Sequence, residues 1–119
     1  RRDRKILARG SIFTSETAKM TLQIAPEHAA IVHAILQKNV PDREVWAFGS
    51  RVKGTAKPFS DLDLAIIGNK PLPLATLADL ADDFAMSDLP WKVDIVDWAT
   101  LSPEFRAIIA AQKMVFQTA

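Results

Sequence analysis

The sequence predicts an α/β (α+β) domain, a small sheet packed with helices, on three observations. Short apolar runs of strand character alternate with longer runs of helical spacing, Gly and Pro clusters separate them, and 119 residues at 49% hydrophobic content suffice for one modest core. The order is αβαβαβα, with Met114-Val115-Phe116 left as a short edge strand or a tail anchor.

The first helix, 26–39, opens on Pro26, whose missing N–H costs nothing in a first turn, and carries Ala29, Ala30, Ile31, Val32, Ala34, Ile35 and Leu36 between polar ends. Its apolar arc is wide for a surface helix and is read as core packing, with contact to a partner as the alternative. Val40-Pro41-Asp42 breaks the helix. Glu44 to Phe48 is a short strand ending at Gly49, Ser50 begins a helical turn through Lys53 to Gly54, and residues 55–60 lead into a second strand at 61–67. Gly68, Asn69, Pro71 and Pro73 stop that strand. Residues 74–86 form the next helix, with Leu77, Leu80, Ala81 and Phe84 inward and Asp79, Asp82 and Asp83 solvated. Trp91 to Trp98 is the third strand, and Ser102 as N-cap with Pro103 behind it opens a last helix, 104–112.

Charge is unevenly spread. The formal net charge is +1, but six of the fifteen basic and two of the fourteen acidic residues lie in 1–19, which leaves residues 20–119 at −3. An acidic body argues against free nucleic acid as a partner. Residues 1–19 lack the apolar stretch of a secretory signal, and Met20 reads as a start codon. They are taken as a leader added by cloning or upstream translation, the alternative being a native basic arm; the folded domain is placed at 20–119. Cysteine is absent, which excludes disulfides and thiolate metal sites, and no segment approaches the ~20 apolar residues of a membrane span. The expected compartment is the cytoplasm. Tyrosine is also absent, so a modified tyrosine would have to lie on another molecule.

Val45 to Ile67 carries the chemistry. Asp61 and Asp63 are two apart on a segment that continues Leu64-Ala65-Ile66-Ile67, so alternation puts both carboxylates on one face, roughly 6.5–7 Å apart along the backbone. Gly-Ser and Asp-x-Asp at fixed spacing arise by accident in about one chain in a thousand of this size. An EF-hand loop would need Gly where Ile66 stands. Two carboxylates so placed can share metal, and a third on a neighbouring strand would complete a set able to hold two ions about 3.5–4 Å apart for nucleotidyl transfer. The third strand offers Asp94 and Asp97 on opposite faces; Asp94 is chosen because a mid-strand acid is costly unless liganded, whereas Asp97 lies near solvent at the strand end. Asp61, Asp63 and Asp94 are thus the candidate catalytic and metal-binding residues.

Gly49 allows close approach of a phosphate, and Ser50 offers a hydroxyl and an N–H at the start of a helical turn. Arg51 is the candidate phosphate contact, Ser60 joins the nucleotide-binding set, and Lys53 and Lys57 are read as solvated.

Gly49-Ser50, ten intervening residues, Asp61-Leu62-Asp63 and then Val93-Asp94-Ile95-Val96 resemble the minimal nucleotidyltransferases of the DNA polymerase β superfamily, over most of residues 25–112. The resemblance implies a polymerase β-like core with a small mixed sheet, triphosphate at the Gly-Ser turn, Mg²⁺ on Asp61, Asp63 and Asp94, and ATP as substrate. Larger relatives carry a second domain that grips the acceptor, for which this chain has no room. Stand-alone domains of this size resemble the MntA-type antitoxins, which partner a helical HEPN ribonuclease toxin and silence it by adenylylating a tyrosine. The expectation is therefore Mg²⁺-dependent transfer of AMP from ATP to a hydroxyl of a HEPN toxin. The alternatives are a non-catalytic antitoxin that occludes its partner and, below it, a small-molecule or RNA nucleotidyltransferase, which fits the acidic body less well.

Overall fold

Strands Val45–Phe48 (β1), Leu62–Ile66 (β2), Val93–Asp97 (β3) and Met114–Gln117 (β4) form one sheet in the order β3-β2-β1-β4. The computed structural model describes residues 22–119; the leader expected at 1–19, and Met20, lie outside the described residues. β1 is antiparallel to both β2 and β4, and β2 is parallel to β3. A parallel pair needs a crossover, here supplied by the helix Leu74–Ala85 (α3). The other helices are Pro26–Asn39 (α1), the single turn Ser50–Lys53 (α2) and Pro103–Gln112 (α4).

One face of the sheet carries the core. Val45 and Ala47 of β1 and Leu62, Leu64 and Ile66 of β2 are fully buried against Val32 and Leu36 of α1 and Leu80 and Phe84 of α3. On the opposite face Phe105 of α4 meets Phe48 edge-on, and Trp46 of β1 meets Trp98 in the same way. Ser102 caps α4 as expected, its Oγ accepting from Phe105 N at 3.2 Å.

The strands are shorter than their apolar runs. Asp97 ends β3 because its side chain accepts from Ala99 N at 3.3 Å and turns Trp98–Thr100 into a 3₁₀ segment. Ala81, expected inward, is exposed, and Asp83, expected in solvent, is tied to α1 by Asn39 Nδ2 at 2.9 Å and Lys38 Nζ at 3.1 Å. The wide arc of α1 is only partly used: Val32 and Leu36 are buried, Ile35 packs against the core, and Ala30 and Ala34 face solvent. The C-terminal segment is strand and anchor together, since Gln117 Nε2 donates to Val40 O and Arg43 O, each at 2.9 Å. Among the described residues no helix is long and apolar enough to cross a membrane.

Leu64 lies at the centre of the layer between sheet and helices, with no exposed surface. Leu64→Ala is expected to lower unfolding free energy by about 2–5 kcal/mol in a denaturant titration, whereas a loss below about 1 kcal/mol would show that this layer is not the core.

Candidate active site

Strand polarity gathers the candidate residues at one end of the sheet. β1 delivers Gly49 and Ser50 where its antiparallel neighbour β2 begins, and β3, parallel to β2, begins at that end too. Register then fixes the contacts. Phe48 lies opposite Asp63, and Asp63 lies opposite Asp94. Asp61, immediately before β2, comes within hydrogen-bonding reach of Asp94.

These carboxylates act on one another. Asp63 is pushed up from an ordinary 3.8 to about 6, first by burial and then by the charges of Asp94 and Asp61. Asp94 is raised as well, by partial burial of its carboxyl and then by the hydrogen bond and charge of Asp61, with Lys92 opposing. Asp63 and Asp94 favour the charged form in water and are held beside Asp61 where charge is costly, which is the electrostatic setting of a cation site. All-oxygen donors suit a hard divalent ion such as Mg²⁺. Among the described residues, however, no three such side chains already converge as a metal-holding cluster.

Gly49 has a packing role in addition to the one its sequence position implied. Its backbone, at φ 83° and ψ −158°, is in a region essentially restricted to glycine. A Cβ there would collide with Oδ2 of the Asp63 carboxylate. The missing side chain makes room for a carboxylate as well as for any phosphate. Ser50 follows as the first residue of α2 and is half-buried.

The phosphate role expected of Arg51 does not match its placement. Arg51 is 6% exposed, and its guanidinium donates to main-chain carbonyls: Nε to Ser60 O at 2.9 Å, Nη1 to Gln23 O at 2.7 Å, and Nη2 to Pro58 O at 3.0 Å. A buried charge is tolerated only when so paired, and these donors are then committed. Ser60 belongs to the same construction, its Oγ accepting from Lys57 N at 2.8 Å. Lys53 and Lys57, read as solvated, are exposed.

The reason given for choosing Asp94 also needs correction. Asp94 is exposed, because β3 is an edge strand, and Asp97 is 8% exposed, roofed by the segment after β2, where Leu72 N donates to it at 2.8 Å. Register, not burial, distinguishes the two: Asp94 pairs with Asp63, whereas Asp97 pairs with Ile66 on the core face. The sequence argument missed the packing of Gly49 on Asp63, for which only the positive-φ habit of glycine gives a signal.

Two substitutions test this geometry. Gly49→Ala is expected to destabilise the chain by about 1–3 kcal/mol from backbone strain, with displacement of Asp63 in addition. Gly54→Ala is the comparison, since Gly54 also has positive φ but a Cβ there meets nothing within 4 Å. A loss at Gly49 no larger than at Gly54 would refute the Asp63 contact. Asp63 titrates near 6 when folded against 3.8 ordinarily, so between those values the folded state holds more protons and loses stability as pH rises. In thermal melts without divalent ions, Asp63→Asn should therefore gain on the parent as pH rises from about 4 to about 7. Parallel curves would contradict the repulsion.

Comparison with known proteins identifies the family. Residues 31–119 match the family described as polymerase beta, nucleotidyltransferase. The chain is 54% identical over 101 residues to a probable protein adenylyltransferase MntA of Haemophilus influenzae, a match covering 85% of this chain and 89% of that one. A solved toxin–antitoxin structure with AMP-PNP superposes with a TM-score of 0.65 at 26% identity, over 76% of this chain and 73% of the other. A mutant MntA–HpeT toxin–antitoxin superposes with a TM-score of 0.64, also at 26% identity, over 82% and 75%. The mixed sheet with its Gly-Ser turn and strand-borne aspartates, together with these matches, establishes that the chain belongs to the polymerase β nucleotidyltransferase family, among its MntA-type members.

Proposed function

We propose that the chain transfers AMP from ATP, with Mg²⁺, to a hydroxyl of a HEPN-type toxin, tyrosine being the expected acceptor, and so acts as an antitoxin. The observation that carries this reading is the gathering of Asp61, Asp63 and Asp94 beside Gly49-Ser50, with Asp63 raised to about 6. Support for the partner comes from the similarity to an MntA adenylyltransferase and to solved toxin–antitoxin complexes, one of them with AMP-PNP. The absence of Tyr from the chain accords with an acceptor on another molecule. An ATP-dependent reaction of this kind belongs in the cytoplasm.

Asp61, Asp63 and Asp94 would hold the metal, which when bound neutralises the triphosphate and the charge developing on the leaving pyrophosphate. The turn at Gly49-Ser50 presents main-chain N–H and hydroxyl groups to the phosphates with no side chain at Gly49 in the way. The acceptor hydroxyl loses its proton to solvent as its oxygen attacks the α-phosphorus, a new P–O bond forms, and the bond to the departing pyrophosphate breaks. Holding the two reactants in line supplies much of the rate. Asp94, exposed on the edge strand, lies where a macromolecular acceptor can approach.

A second reading, neutralisation by occlusion alone, draws on the hollow between α1 and α3, where Ile31, Ala34, Ile35 and Met86 lie beside Lys38, Asp83, Ser87 and Asp88. One experiment separates the two. The chain is incubated with α-labelled ATP, Mg²⁺ and the toxin encoded beside it. Label should appear on the toxin and fall by about 100-fold or more with Asp63→Asn, with protection of cells lost in parallel. Equal labelling by the variant would refute the role of Asp63, and protection retained without labelling would favour occlusion.

A further inference from the structure

A cavity of about 560 Å³ opens beside Asp61, lined by Phe59, Ala81, Phe84, Pro90 and Trp91 among others. That volume lies within the ~300–1,000 Å³ typical of small-molecule sites, and a mainly apolar and aromatic lining with a few polar groups is their usual character. Nothing in the metal and phosphate chemistry above uses it.

Its two aromatic walls are held by one buried side chain. Phe59 is 76% exposed, yet the Arg51 guanidinium binds the carbonyls on either side of it, Pro58 O at 3.0 Å and Ser60 O at 2.9 Å. The loop is further closed by Ser60 Oγ accepting from Lys57 N at 2.8 Å. Trp91, 8% exposed, has the same guanidinium 4.6 Å from its ring centroid and the His28 ring edge-on at 5.7 Å. A large apolar ring kept in solvent by a fastened backbone is a surface prepared for contact, not a product of a slack loop. Between these walls α3 presents Ala81, the exposed small residue that its helical spacing had placed in the core.

We infer that this cavity receives the base of the donor nucleotide, which stacks on the exposed Phe59 and abuts Trp91 while its phosphates lie toward Asp61 and Gly49-Ser50. The assignment rests on the adenylyl-transfer reading above. Three observations favour the base over an aromatic ring of the acceptor. The cavity has the size of a small-molecule site, Asp61 forms part of its lining, and the open route for a macromolecule lies at the exposed Asp94 on the sheet edge.

The test measures calorimetric binding of Mg²⁺ with ATP, and separately of Mg²⁺ with tripolyphosphate, which has phosphates but no base. Parent, Ala81→Phe, which fills the cavity, and Phe59→Ala, which removes one wall from an exposed position, are compared after their melting temperatures are matched. Both variants are expected to weaken ATP binding by about tenfold or more while tripolyphosphate changes by less than about twofold. Unchanged ATP affinity in both variants overturns the assignment, as does a parent that binds ATP no more tightly than tripolyphosphate. A raised KM for the protein acceptor with ATP affinity intact overturns it too, giving the cavity to the acceptor. A parent that binds neither ligand would overturn the adenylyl-transfer reading itself, and the subsite with it.

Discussion

Repulsion among Asp61, Asp63 and Asp94 is sustained by main-chain pairing. In the parallel ladder between β2 and β3, Asp63 and Asp94 occupy one register position, so the backbone holds the two residues side by side. On the other side of β2 the antiparallel ladder sets Phe48 against Asp63 and brings the glycine after Phe48 onto the same carboxylate. β2 can hold this load because its alternate residues, Leu62, Leu64 and Ile66, are fully buried beneath α1 and α3. A slip of one residue would turn that apolar row outward, so the core that fixes the register also fixes the crowding of charge. The site is thus one face of a strand whose other face is the core.

Arg51 organises the region next to that strand. Its charge would be expensive in a buried position without partners, and the carbonyls of Gln23, Pro58 and Ser60 supply them. One side chain thereby joins the segment before α1 to the loop before β2, and its contact with Trp91 extends the connection to the approach of β3. The three segments meet where Asp61 emerges. Precision at that carboxylate therefore depends on a cation whose hydrogen bonds go to main-chain carbonyls, a common division of labour in sites built at strand ends.

Local signals made much of this legible in the sequence. Alternation and turn residues located all three main strands, Pro26 and Ser102-Pro103 located two helix starts, and Gly49-Ser50 and Asp61-x-Asp63, singled out by their spacing, lie at one end of the sheet. What failed was whatever depends on distant neighbours. Arg51 beside a Gly-Ser turn resembles a phosphate ligand until the carbonyls of a loop several residues later are seen to occupy it. Asp94 and Asp97 exchange their expected environments because no local pattern reveals that β3 is an edge strand or that Leu72 roofs the strand end. The sequence also contains no sign that Phe59 and Trp91 face one cavity, since they come from loops preceding different strands.

Membership of the polymerase β nucleotidyltransferase family and the crowded carboxylates lead to one physical statement: under the proposed function, a divalent cation bound with its nucleotide would relieve the repulsion that the folded chain carries. A ligand that binds only the folded state raises the melting temperature by mass action. The most direct measurement is a melt near neutral pH with and without millimolar Mg²⁺ and ATP, for the parent and for Asp63→Asn. A rise in the parent that is lost in the variant would support the statement. No rise in the parent, or an equal rise in both, would contradict it.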